Sequence, residues 1–179
     1  MSTQIQTFLT WIIGIILIIT LLVFGMSVFS VNTKQMEMNN AVQLMITNSR
    51  DNDARVARGL YVINRPTFER YLAQSNFKNW YNQKGTSDVH LSYKFYVDED
   101  DPNVKAFARV QPSARPVNGS YAKTTSVPVK AVKVAVIGKR NGKDIILNVV
   151  NYTINGQVNT RKDDISKVDP DKVVDTGKF

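Results

Sequence analysis

The stretch from Phe8 to Phe29 constrains this chain more than any other feature. It is apolar almost throughout and carries no charge; the first charged side chain in the sequence is Lys34. A helix over this stretch rises about 1.5 Å per residue and covers roughly the 30 Å of hydrocarbon in a bilayer. Its isoleucine-rich middle is a poor helix former in water. In lipid, however, a single segment satisfies its own backbone hydrogen bonds only as a helix. The reading is a membrane span. A secretory signal would show a basic leader, a shorter apolar core and a small-residue cleavage site. Here Met1 to Thr7 contains no Lys or Arg and no Ala-x-Ala follows the run, so the span reads as an uncleaved anchor. Lys34 is the nearest basic side chain on either flank, and the expected orientation puts the amino terminus in the cytoplasm and the large domain outside.

The residues beyond the span suffice for one small domain and an adapter segment. Cysteine is absent, which excludes a disulfide framework and thiolate metal sites, so the domain depends on its hydrophobic core. The net charge of +8 lies wholly beyond residue 33, with lysines and arginines interleaved with acids rather than gathered into one run. Such a balance serves solubility first and attraction to anionic headgroups or nucleic acid second.

Val31 to Ser49 continues the helix beyond the span, with Met38, Ala41, Val42, Met45 and Ile46 at helical spacing and polar residues between them. This predicts one long helix, apolar all round at its start and amphipathic later. Arg50-Asp51-Asn52-Asp53 reads as a kink or solvated turn, and Gly59 as the residue that stops the helix after a basic last turn. Leu60 to Ile63 is a short β-like run. Asn64 or Arg65 then caps a second helix with Pro66 in its first turn; Phe68, Tyr71 and Leu72 form its apolar face, extended by Phe77, Trp80 and Tyr81. From Asp88 the period becomes two: Val89, Leu91, Tyr93, Phe95 and Val97 should be buried, and His90, Ser92, Lys94 and Tyr96 wet. Asp98 to Asn103 reads as a turn, Val104 to Val110 as the return strand, and Pro112 to Ser126 as a long loop. Val127 to Ile137 and Asp144 to Ile154 are strands around the hairpin pair Asn141-Gly142, and Asn155-Gly156 turns into a short strand at Gln157 to Thr160. Arg161 to Phe179 reads as a charged, loosely held tail. The organisation is thus an anchor at 1–30, an amphipathic helix at 31–59, an α+β domain at 60–160 and a tail at 161–179.

No constellation in the sequence carries recognisable catalytic, cofactor or metal chemistry. His90 is the only imidazole, and no spacing supplies a nucleophile and an orienting acid. Asp98, Glu99, Asp100 and Asp101 lack the spacing and glycine of a calcium loop and read as a solvated turn. Lys139, Arg140 and Lys143 cluster at a hairpin tip without the aromatic platforms that single-stranded nucleic acid needs, and Tyr121 with Lys123 is a fainter pair of the same kind, so nucleic acid is the weaker partner class. Asn118-Gly119-Ser120 and Asn151-Tyr152-Thr153 match a glycosylation pattern that arises often by chance. Within the span, Thr10 with Gly14, and separately Gly25, are points where another helix could approach closely.

The order of these parts resembles the type IV pilin-like family, and within it the TadE-like pseudopilins of Gram-positive bacteria. The resemblance rests on the span Phe8 to Phe29, its continuation through Ala41, Val42 and Met45, the Ala54 to Gly59 segment, the helix Pro66-Thr67-Phe68-Glu69-Arg70-Tyr71-Leu72 and the antiparallel strands after it. It implies an α+β fold in which a long amino-terminal helix packs on an antiparallel sheet. It also implies a non-enzymatic subunit or accessory protein of a surface pilus, secretion or conjugation apparatus. The partners would be the bilayer, through Phe8 to Phe29, and other pilin-like or apparatus subunits, through the amino-terminal helix. This sequence has neither the Lys/Arg–Gly processing site of ordinary type IV pilins nor an acidic residue before Glu37, so peptidase processing is not part of what the resemblance implies. A second reading makes the protein a membrane-tethered module whose basic β-domain holds a cell-wall, small-ligand or nucleic-acid partner.

Overall fold

Helix α1 runs unbroken from Ser2 to Asn48. The structure is a computed structural model that describes residues 2–51, 60–82, 86–118, 121–154, 158–159 and 173–178. It divides into two compact units, Met1–Glu37 and Met38–Phe179. The first is helical and exposed along nearly its whole length. The second is α+β. In it, the distal turns of α1 bury Met38, Val42, Met45 and Ile46 in the core, with Ala41 packed at its margin. The opposite face of the same turns stays wet, and Met36 and Leu44 are about two-thirds exposed there (66% and 60%). The amphipathic spacing read from the sequence is the spacing that packs.

The helix stops where the chain finds other hydrogen-bond partners. Ser49 N–H still donates to the Met45 carbonyl, but Asp51 N–H donates to Val62 O at 2.9 Å, and Asn64 N–H donates to Ser49 O at 2.7 Å. Arg50 thus bridges Ile63 in antiparallel fashion, alongside strand β1 (Val62–Asn64). The helix end expected at Gly59 lies outside the described residues.

Asn64 then caps helix α2 (Arg65–Gln74): its Oδ1 accepts from Thr67 N–H at 3.1 Å, with Pro66 in the first turn. Phe68 and Leu72 are fully buried. The helix does not continue into the aromatic run. It closes at Ser75, whose Oγ and N–H both return to the Leu72 carbonyl, and a separate short helix, α3 (Phe77–Tyr81), carries Phe77 into the core. Strand β2 (Ser87–Tyr96) comes next, with Leu91, Tyr93 and Phe95 buried as the alternation requires. Phe68 meets the rings of Tyr93 and Phe95 edge-on at 5.5 and 5.2 Å between centroids.

Val104 to Val110, expected as a return strand, is instead within helix α4 (Pro102–Val110). Asp101 is its cap, with Oδ1 accepting from Asn103 N–H at 2.8 Å, and Pro102 opens the first turn. The buried side chains are Val104 and Phe107, three residues apart, while Val110 is 66% exposed. The cap and the i, i+3 pair outweigh the apparent alternation of Val104, Ala106, Ala108 and Val110. The long loop after α4 holds two short 3-10 turns, Pro112–Ala114 and Tyr121–Lys123. Phe107 and Ala114 pack on Val62.

The expected strand from Val127 to Ile137 is divided between two sheets. Strand β3 (Ser126–Pro128) pairs antiparallel with β1; after Val129 and Lys130 the chain enters β4 (Ala131–Arg140). Asn141 and Gly142, both at positive φ (52° and 77°), turn β4 into β5 (Lys143–Thr153) as the Asn-Gly pair demands. Strand β6 (Val158–Asn159) adds to β5, and β7 (Val173–Lys178), within the stretch read as a loose tail, adds to β2. The five-stranded antiparallel sheet has the order β6-β5-β4-β2-β7.

Removing buried methyl groups from the packed face of α1 should cost far more than removing exposed ones. Ile46→Ala should destabilise the domain by about 2–5 kcal/mol, and Leu44→Ala by less than about 0.5 kcal/mol. Chemical denaturation of the two variants checks this; equal losses would contradict the assignment of the faces.

Candidate membrane-facing surface

From Ile5 to Val31 the large apolar side chains of α1 stand open, from Ile12 at 37% to Phe29 at 74% exposed. This is the one helix among the described residues long and apolar enough to cross a membrane. It fits a transmembrane or signal anchor. Four of the hydroxyls on it are already satisfied within the helix. Thr7, Thr10, Thr20 and Ser27 each donate their hydroxyl to the carbonyl four residues earlier, at 2.8–3.0 Å, and Thr33 does the same just beyond. Lipid would therefore meet no free hydroxyl hydrogen at these positions, which lowers the cost of placing them in hydrocarbon. A Cβ added at Gly14 or Gly25 would meet no atom of the protein, so neither glycine is required by packing within the chain. Gly14 instead floors a shallow groove between Thr7, Thr10, Trp11 and Ile18.

The other positions singled out in the sequence are accounted for inside the domain. His90 is not on a wet face: it is 8% exposed, with Nδ1 3.0 Å from the Asp88 carbonyl. Two things bury it. The strand is irregular between Ser87 and His90, where Asp88 takes a positive φ of 52°, and Tyr96, Ala131, Ala135 and Asn151 on the same sheet face are buried too. Tyr96, expected wet, is likewise only 4% exposed, so this face is covered at both residues. Of the four acids after β2, Asp98 pairs with Lys130 at 3.0 Å, Asp100 lies 3.8 Å from Lys105, and Asp101 caps α4. Among the described residues no group of three or more His, Asp or Glu could hold a metal ion. Lys139 is not a free cation, since it pairs with Asp88 at 2.7 Å, and its hydrogen bond to that carboxylate raises its pKa. Arg140 and Lys143 face each other at the hairpin tip. Tyr121 is buried and offers no stacking platform. Asn151 and Tyr152 are buried in β5, which closes that glycosylation pattern to an enzyme; Asn118 is exposed, but the rest of its pattern lies outside the described residues.

The sequence reading missed one polar cluster. Arg65, 8% exposed, donates from Nε to Thr124 O at 2.8 Å and from a terminal nitrogen to Tyr121 O at 2.6 Å, pinning the long loop to the start of α2. Burial lowers its pKa, against the opposing pull of Tyr93 and Glu69. One turn along, Glu69 Oε1 accepts from the Tyr93 hydroxyl at 2.5 Å. Burial first, and then that carboxylate, push the phenol well above its ordinary pKa. The i, i+4 spacing of Arg65 and Glu69 was the available signal. The arrangement holds a loop and a core tyrosine in place.

No family model, curated protein sequence or solved structure matches this chain.

Arg65→Met should cost about 2–4 kcal/mol, because it strands two carbonyls and a loop, and should lower the melting temperature accordingly. Burial also raises the pKa values of Tyr61, Tyr81, Tyr96 and Tyr121. A raised phenol pKa means that the fold favours the protonated form. That stability is complete below the ordinary tyrosine value of about 10 and is lost as pH climbs through the raised values. Circular dichroism melts from pH 9 upward should show falling stability above about pH 10. Tyr93→Phe should flatten that slope, and an unchanged slope would contradict the role given to this phenol.

Proposed function

We propose that this protein is a single-pass, membrane-anchored, pilin-like structural or accessory subunit of a surface pilus, secretion or conjugation apparatus, with its domain outside the cell and no catalytic activity of its own. The observation that carries the reading is the double use of α1. Its exposed apolar length suits lipid or sister helices, and its distal turns are part of the core of an antiparallel α+β domain. A helix used this way transmits any pull on the domain directly to the anchor. Drawn from the bilayer, the apolar length would need cover from other helices. Burial at about 25 cal/mol per Å² of apolar surface would supply the driving force for bundling. The antiparallel sheet behind the helix and the capped α2 support the same layout.

Fractionation of native cells tests the proposal. The protein should appear in washed membranes and also in the filamentous material released by shearing. Protein confined to membranes, with none in sheared material or in complex with apparatus subunits, would contradict it. A lysine in mid-span, Ile16→Lys, should cost roughly 2.5–3.5 kcal/mol of insertion and deplete both fractions.

A further inference from the structure

Two lysines stand directly opposite one another in the middle of the five-stranded sheet. Lys94 of β2 is the register partner of Lys133 of β4, and Lys133 is in turn the partner of Asn151 of β5. Residues opposite each other across an antiparallel pair point to the same face with Cβ atoms about 4.5–5.5 Å apart, and like charges so placed repel. The surroundings worsen the repulsion: both lysines are only partly exposed, and Tyr96 and Asn151 beside them are 4% exposed. Neither lysine has an ion-pair partner among the residues up to 154 whose side chains are described; the domain's other lysines at Asp88, Asp98 and Asp100 do. Asn151 adds an independent sign. Its Oδ1 is buried and accepts no hydrogen bond from the described side chains, which is costly to leave so.

We propose that Lys94, Lys133 and Asn151 form a binding site for a phosphate-type oxyanion. Two ammonium groups neutralise the anionic oxygens. Asn151 completes the set by accepting from a phosphate hydroxyl, or by donating from its amide nitrogen when the side-chain amide is turned about its last torsion. Burial and the neighbouring Lys94 lower the pKa of Lys133, as expected of an ammonium awaiting a counter-charge. The inference stands apart from the pilin-like reading and survives its failure. The phosphate group could belong to a lipid headgroup or be free in solution; both present anionic oxygens to the two ammonium groups, and a phosphodiester, which has no hydroxyl on phosphorus, would take the amide nitrogen of Asn151.

The test uses the full chain in nanodiscs of phosphatidylcholine at constant ionic strength, with inorganic phosphate exchanged for chloride. Phosphate should raise the melting temperature with a dissociation constant on the order of 1 mM, and Lys94→Gln or Lys133→Gln should weaken it at least ~10-fold. Lys139→Gln, which removes a lysine that already has a carboxylate, should leave the response intact. In chloride alone the Lys94 and Lys133 variants should melt no lower than the parent, since each relieves a repulsion. Nitrogen-edited NMR of the parent protein gives a reading that needs no variant: phosphate should raise the pKa of the Lys133 amine. A second arm replaces part of the lipid with phosphatidylglycerol. Stabilisation by the charged lipid, lost in the same two variants, assigns the phosphate to a headgroup; stabilisation by free phosphate alone assigns it to the soluble phase. No response to either source overturns the proposal, and so does a response that is equal in parent and variants.

Discussion

Everything else in this protein depends on one seam, where Met38, Val42, Met45 and Ile46 of α1 meet the valine-rich inner face of the sheet. Isoleucine, valine and methionine side chains of this kind stabilise by about 1.5–3 kcal/mol each when fully withdrawn from water. Without the seam, α1 would be a long apolar helix tethered to an unrelated domain. With it, the helix forms part of the domain's core. The sheet also needs the seam, because an antiparallel sheet of this size must cover one face, and α1, α2 and α3 supply side chains to that cover. Phe68 and Phe77 fill the remaining space against Tyr93, Phe95 and Trp80.

The domain's polar interior secures its irregular parts. The loop after α4 has little apolar content of its own, and it is held by the guanidinium of Arg65 and by Ser126, which donates to Asp51 beside the end of α1. The two-stranded β1–β3 sheet is thereby fixed both to the helix end and to the loop. In this way the start of α2 gathers local cap chemistry from Asn64 and long-range hydrogen bonding from Arg65 into adjacent residues.

Much of this was legible in the sequence because periodicity is strong where burial is one-sided. The continuation of the span into an amphipathic helix, the cap at Asn64, the alternation through Leu91, Tyr93 and Phe95, and the Asn141-Gly142 hairpin all appear where the residues put them. Short segments misled for physical reasons. Val104 to Val110 holds too few residues to separate period two from period 3.6, and the Asp101-Pro102 cap was the better guide. His90 and Tyr96 were expected to be wet because alternation implies a solvated second face, yet that face is covered at both residues. The split between β3 and β4 arises from Lys130 N–H turning to the Tyr96 carbonyl, a pairing between distant strands that no local pattern announces. The outer apolar surface of α1 was plain from composition. The Arg65 cluster and the Lys94–Lys133 pair were not, since both are created by register and by contacts across the chain.

The central claim is that one continuous helix is apolar and exposed at its start and half-buried in a protein core at its end. The absence of native cysteine allows a direct measurement: single cysteines placed in turn from position 8 to position 47, in protein reconstituted into bilayers, and labelled with a water-soluble maleimide. The account predicts uninterrupted protection from Phe8 to Phe29, then a helical alternation in which Met36 and Leu44 label readily while Met38, Val42 and Ile46 do not. Labelling throughout the first stretch, or uniform reactivity beyond Met36, would contradict it.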